Sequence, residues 1–295
     1  MRLLLFIMWL LHWLPLPVLG RIGVALGSLL YMYMRPRRRI ALINLRLCFP
    51  DKSEAERRVI ARGHFQAYAR SALERGILWW ASEKRLKRLI KVEPGVPFAT
   101  MDAGPVIMLC PHFVCLEIPG IALVLNSPYS VCTVYARQQN DIVDQALLRG
   151  RSRFRPVTLL SREKGIKPIL RAMREGKPFI MLPDMDFGLK DAEFVPFFGV
   201  PAATLTATAR IAAATGAKVV PAITTFLPGY QGWKTTFYPA WDDYPGDDIS
   251  LATRRMNAFI EDRVREAPEQ YFWAHKRFKT RPEGARDVYA RRPSD

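Results

Sequence analysis

Cysteine and acid are the scarce elements of this sequence. Only four cysteines occur in 295 residues, Cys48, Cys110, Cys115 and Cys132, and no two form a CxxC pair. That spacing argues against a disulfide framework and against a zinc knuckle; thiols in or beside apolar runs read as buried and free. A cysteine nucleophile at Cys115, three residues beyond His112, is the minor alternative. No repeat, low-complexity tract or Gly/Ser linker divides the chain, so one globular domain is expected behind its amino-terminal segment. Acids number 27 against 44 Lys and Arg, a net charge of +17, while 49% of residues are hydrophobic. A chain this apolar is not intrinsically disordered, and its basic excess asks for a polyanionic partner: nucleic acid, an anionic membrane, an acidic protein or a phosphorylated substrate.

What the chain does have is a long apolar start. Leu3 to Leu14 is followed by Pro15-Leu16-Pro17 and a second run from Ile22 to Met34, with Arg21 the sole interruption. Together these are long enough to cross ~30 Å of hydrocarbon, with the prolines and Arg21 favouring a kinked span or a span plus an interfacial helix. A cleaved signal peptide fits the apolar length but not the residues beyond it, since no small-x-small site appears and apolar sequence continues. Arg35-Pro36-Arg37-Arg38-Arg39 comes next, a cluster of the kind that stays cytoplasmic and attracts anionic lipid. The expected organisation is a membrane anchor over 1–34 and a cytoplasmic-facing domain over 35–295.

Residues 51–90 read as helix, with Asp51 or Ser53 as cap and Glu54 and Glu56 in the first turn. Past Gly95, short continuous apolar runs (Val106 to Cys110, Val131 to Tyr135, Val157 to Leu160, Phe179 to Leu182, Val219 to Thr225) alternate with helical segments such as Lys167 to Arg174 and Thr204 to Ala214. This pattern predicts an α/β fold with a largely parallel central sheet flanked by helices. In such sheets chemistry sits beyond the carboxyl ends of the strands.

Five segments carry candidate chemistry. His112 follows the first run, and Glu117 stands five residues on; a carboxylate on one imidazole nitrogen stabilises the cation formed when the other accepts a proton, so a general base with its orienting acid is predicted. The competing reading is a satisfied histidine at a strand end. Arg149, Arg151, Arg153 and Arg155 crowd beside Gly150, suited to a phosphate or a developing oxyanion, or simply solvated. Asp184 and Asp186 would share a face of a continuing strand, as metal ligands, as a scaffold for the arginines, or to recognise substrate. Phe194 to Phe198, rich in aromatics and proline, suits the wall of an apolar tunnel, a membrane-facing loop, or an ordinary core loop. Near the end, Tyr271 to Gly284 mixes aromatics with cations, suited to base stacking or a membrane interface.

Taken in order, these segments resemble the late acyltransferases of lipid A biosynthesis, the lauroyl and myristoyl transferases, within the wider lysophospholipid acyltransferase group. The matching residues are Asn44-Leu45 with Cys48-Phe49-Pro50, His112 with Glu117, Tyr135 with Asn140, Gly150-Arg151 with Arg153, Pro183-Asp184 with Asp186 and Gly188, Phe194-Val195-Pro196 with Ala202-Ala203-Thr204, and the block from Pro268 to Gly284. Where the family commonly reads Tyr-Arg-Pro this chain has Tyr135-Ala136-Arg137, which leaves open whether Arg137 takes that arginine's role.

The resemblance implies transfer of a fatty acyl chain from acyl carrier protein to a hydroxyl on the 3-hydroxyacyl chain of a Kdo-bearing lipid A precursor, at the cytoplasmic face of the bacterial inner membrane. It implies His112 as base held by Glu117, and Arg151 at the oxyanion. Tyr135, Arg137, Asn140, Arg153, Asp184 and Asp186 would contact substrate or orient the arginines, and Phe194, Phe197 and Phe198 would line the acyl path. No cofactor or metal is called for, because a thioester is already activated. Acylation of a lysophospholipid or another glycolipid is the alternative within this chemistry. A non-catalytic binder of nucleic acid or anionic membrane is the alternative outside it; the scattered basic residues and the absence of a nucleic-acid signature argue for no nucleic acid partner.

Overall fold

A computed structural model describes residues 1–161 and 165–290; the end of the expected domain, 291–295, lies outside the described residues. The amino-terminal third is helical: α1 (Arg2–Leu11), α2 (Leu16–Tyr33), α3 (Arg35–Cys48), α4 (Glu54–Trp80) and α5 (Glu83–Leu89). The break between α4 and α5 divides the single helix expected over 51–90, because Ala81 is extended and Ser82 caps a new helix by accepting from the Arg85 amide. α4 itself starts on a reciprocal capping box between Ser53 and Glu56.

The rest alternates: β1 (Ile90–Glu93), α6 (Phe98–Asp102), β2 (Val106–Leu109), α7 (Ile118–Asn126), β3 (Cys132–Tyr135), α8 (Asp141–Arg151), β4 (Thr158–Ser161), α9 (Lys167–Arg174), β5 (Phe179–Met181), β6 (Ala192–Phe197), β7 (Val200–Leu205), α10 (Ala207–Thr215), β8 (Lys218–Phe226), β9 (Trp233–Phe237) and α11 (Ile249–Glu266). Seven strands form one sheet in the order β1-β9-β8-β2-β5-β3-β4, parallel at every pairing except β8 with β9. Fully buried β2, with four apolar residues in a row, takes the centre, as a strand covered on both faces must. The mostly parallel α/β sheet is the fold expected from the sequence.

A separate hairpin, β6 with β7, occupies the stretch read as an aromatic loop and the start of the helix expected from Thr204. Its two-residue turn, Phe198-Gly199, has positive φ at both positions, the mirror-type geometry whose twist suits hairpins. The helix after it is α10, beginning at Ala207.

α2 is long and apolar enough to cross a membrane by length and composition. It does not stand apart from the domain. Leu16, Leu19, Gly20, Gly23 and Gly27 are buried, and a Cβ at Gly23 or Gly27 would come within 2.8 Å or 2.4 Å of the α4 backbone at Arg70 or Gln66. The missing side chains let the two helices pack backbone to backbone. The other side of α2 shows Val18, Ile22, Leu29 and Met32 to the exterior, and α1 shows Leu3, Phe6 and Leu10.

Candidate active site

β2 and β5 are parallel neighbours, so the loops leaving their carboxyl ends meet. One carries His112, the other Asp184. The His112 Nδ1 lies 2.7 Å from Asp184 Oδ1, and the His112 amide donates to the same carboxylate at 3.0 and 3.2 Å. Asp184 is buried. Burial alone would raise its pKa, but the His112 ring and amide and the Tyr271 hydroxyl overcome that and hold it below the ordinary carboxylate value. An ionised Asp184 accepts, so Nδ1 carries a proton and Nε2 is the nitrogen left to take one.

Glu117 is therefore not the acid on the imidazole, contrary to the expectation from spacing. It sits just before α7 and takes the Arg151 guanidinium in a two-pronged pair, Nε to Oε2 at 2.9 Å and Nη2 to Oε1 at 2.5 Å. Burial pushes the Glu117 pKa up, and the hydrogen bonds and charge of Arg151, helped by Arg75, bring it below the usual range. Arg151 keeps Nη1 free of this pair. Its position at the last residue of α8 depends on Gly150, where a Cβ would run into the Trp79 indole at 2.2 Å, so α8 can lie close against α4.

Glu117 and Arg151 line an apolar slot of about 60 Å³ between α7 and the sheet, with Leu116, Gly120, Ile121, Val124, Val131, Ile180 and Leu182. Phe194, Phe197 and Phe198 do not line it. Phe197 is buried among Tyr271, Phe278 and the Arg277 guanidinium; Phe198 packs at a tilt against Phe49; Phe194 lies in β6 opposite Ala203. The hairpin reaches the site through the contact of Phe197 with Tyr271.

Other candidates also have structural tasks. Arg153 donates to the Leu78 and Ala81 carbonyls at 3.0 and 2.7 Å, closing the end of α4. Arg155 does the same for Val124 and Ser127 after α7. Asn140 caps α8, the Tyr135 hydroxyl bonds to Asp144, and Arg137 pairs with Asp141 on the exposed surface. Asp186 binds the Thr280 amide and hydroxyl at 2.6 and 2.7 Å and the Gly188 amide at 3.0 Å, so its carboxylate orients neither the arginines nor His112. All four cysteines are buried free thiols, and burial pushes the Cys115 pKa well up, which removes the nucleophile reading.

The aromatic-basic block near the carboxyl end wraps the histidine loop. The Phe272 amide donates to the His112 carbonyl at 2.9 Å, the Val114 amide donates to the Gln270 carbonyl at 2.8 Å, and Phe113 bridges Tyr271. Buried Asn44 of α3 donates in turn to the Trp273 and His275 carbonyls at 2.8 and 2.7 Å. Tyr271 is the site residue the spacing argument missed; it lay in the recognised block, with nothing to connect it to Asp184.

The sequence profile described as bacterial lipid A biosynthesis acyltransferase matches residues 1–280. The chain belongs to that family. Among its relatives, the lipid A biosynthesis lauroyltransferase of Escherichia coli K12 is 33% identical over 96% of this chain and 92% of its own length. The lipid A biosynthesis palmitoleoyltransferase of the same strain is 31% identical over the same shares, and its lipid A biosynthesis myristoyltransferase 34% identical over 94% and 84%. In this lipid A acyltransferase the His112–Asp184 pair, the Glu117–Arg151 pair and the apolar slot are the groups that the fold gathers in this region.

Proposed function

We propose that the protein transfers a fatty acyl group from acyl carrier protein to the hydroxyl of a 3-hydroxyacyl chain on a Kdo-bearing lipid A precursor. The observation that carries the reading is the His112–Asp184 contact at 2.7 Å, together with an apolar slot whose lining includes Glu117 and Arg151. His112 Nε2 takes the proton of the acceptor hydroxyl as its oxygen attacks the thioester carbonyl. Asp184 holds the Nδ1 proton and offsets the charge of the imidazolium. Arg151, fixed by Glu117, faces the developing oxyanion with its remaining N–H groups. When the tetrahedral intermediate collapses, the C–S bond breaks and the imidazolium returns the proton to the departing thiolate, leaving an ester and a free carrier thiol. The acyl chain is directed into the slot, which must widen to admit it, and Gly120 leaves one wall thin: a Cβ there would meet Ile180 Cδ1 at 3.0 Å.

The same reading puts the enzyme at the cytoplasmic face of the inner membrane, where the acidic carrier can reach it. α1 and α2 are its anchor. Because α2 is packed along α4, crossing the bilayer would draw Arg62 and Arg70 of α4 into hydrocarbon; lying within one leaflet leaves them out of it.

The test is transfer by the purified full chain from acyl-acyl carrier protein to a tetra-acylated, Kdo-bearing precursor, with mass spectrometry of the product. One added acyl chain is expected, with His112→Ala lowering kcat by about 10³-fold or more. Transfer to a lysophospholipid alone, or wild-type rates from His112→Ala, would sink the proposal.

A further inference from the structure

A groove with a volume of about 840 Å³ lies away from the dyad, between α3 and the carboxyl-terminal stretch 286–290. Besides Arg46, which is paired to Glu54, four arginines line it: Arg35, Arg38, Arg39 and Arg286. Two of these build the wall: Arg38 donates to the Tyr31 carbonyl at 2.9 Å, and Arg39 clamps the Tyr289 and Ala290 carbonyls, both at 2.7 Å. The other two, Arg35 and Arg286, are exposed and make no hydrogen bond or ion pair among the described residues. The acid among the described lining residues is Asp287, and its carboxylate is turned to the Tyr289 amide at 2.8 Å.

The same groove has an apolar side, formed by Leu42, Ile43 and Leu47. Its cationic end begins one residue after Met34, where the exposed apolar side of α2 ends at Leu29, Met32 and Tyr33. Cations and hydrocarbon surface meet in one concavity, in the order in which a lipid presents phosphate and acyl chain. Guanidinium forks suit phosphate oxygens, and desolvated stems beside them tolerate apolar chains.

We infer that this groove binds the phosphate-bearing headgroup of a membrane lipid, at a site separate from the acyl-transfer centre. The phosphate is held among Arg35, Arg38 and Arg286, at the end of the groove that adjoins α2, and the lipid chains contact Leu42, Ile43 and Leu47. An acidic protein would match the charge but would leave the adjoining apolar side of α2 in water. A bilayer covers both. Bound lipid would set how the domain sits on the membrane, because α3 also carries Asn44, which holds the block around His112.

Native mass spectrometry of the full chain released from a neutral detergent tests this with three probes: phosphatidylglycerol, phosphatidylcholine of the same acyl length, and inorganic phosphate. Phosphatidylglycerol is expected to remain bound, with phosphatidylcholine retained at least about tenfold more weakly and millimolar inorganic phosphate unable to displace the lipid. Arg35→Ala is expected to weaken retention about tenfold and the Arg35→Ala/Arg286→Ala pair about a hundredfold. The corresponding Lys pair, keeping charge and losing the forks, should fall between. Unchanged retention in the Ala pair, equal retention of both lipids, or displacement by inorganic phosphate would overturn the inference; so would a pair that keeps the lipid but loses binding of the acidic carrier. None of these readings measures acyl transfer, so a failure here is distinguishable from a failure of the catalytic proposal.

Discussion

Residues 149–155 at the end of α8 and 35–39 at the start of α3 each carry four arginines, and the fold uses them in different ways. In the first segment Arg151 is paired to Glu117, while Arg153 and Arg155 close the carbonyl ends of α4 and α7. In the second, Arg38 and Arg39 fix main-chain carbonyls of the groove wall, and Arg35 remains exposed and unengaged among the described residues. Local cation density is the same kind of signal in both. What separates them is the surrounding supply of unsatisfied acceptors: a helix end brought against a guanidinium becomes its partner, whereas an arginine beside an apolar helix at the surface remains available to a ligand.

The largest expected effect lies outside both segments, at the His112–Asp184 dyad. Asp184→Asn keeps the volume and loses the charge and the tautomer control, so kcat is expected to fall about 10³- to 10⁴-fold with KM little changed. A drop as large from Glu117→Gln, with Asp184→Asn near wild type, would return the imidazole to Glu117. Next in size, Arg151→Ala should lower kcat about 10²-fold, while Arg153→Ala, two residues on, should leave turnover within about twofold and lower stability by about 2 kcal/mol through its lost carbonyl contacts. Steady-state rates and thermal melts of the two variants read this directly; equal losses of turnover would merge two roles that the geometry keeps apart.

The smallest effect concerns Glu74, a buried acid of α4 paired to Arg70 at 3.0 Å. Burial outweighs that partner and raises its pKa from 4.5 to about 7. Because the folded value lies above the unfolded one, Glu74 contributes stability that is fully present below about pH 4.5 and lost as pH rises through about 7. Asp184 and Glu117, held low, act in the opposite sense, losing their contribution as pH falls through their folded values. The melting temperature of Glu74→Gln relative to wild type is therefore expected to improve between about pH 5 and about pH 8; a difference independent of pH would show that Glu74 stays ionised throughout.

Much of the frame was legible from residue order. Continuous apolar runs announced β2, β3, β4, β5 and β8, and the loop after β2 was marked as the place for a base. β1 and β9 were missed, β1 because Ile90–Glu93 directly follows α5 and continues its pattern, and β9 because Trp233–Phe237 alternates inward and outward where continuous burial was sought. The hairpin was hidden by Pro196 and Pro201, residues that argue against strands and here face each other across a two-strand edge.

Sequence by itself determined the apolar amino terminus, the basic excess, the parallel α/β architecture and the histidine. Its partner was decided only by tertiary structure. His112 and Glu117 are five apart in the chain and do not pair, whereas Asp184, 72 residues away, does, because β2 and β5 are neighbours in the sheet. Strand order is a long-range choice among packings of similar local preference, and no spacing along the chain encodes it. The same choice gave Arg151 an acid and Arg153 a helix end, and left Arg35 beside the apolar face of α2.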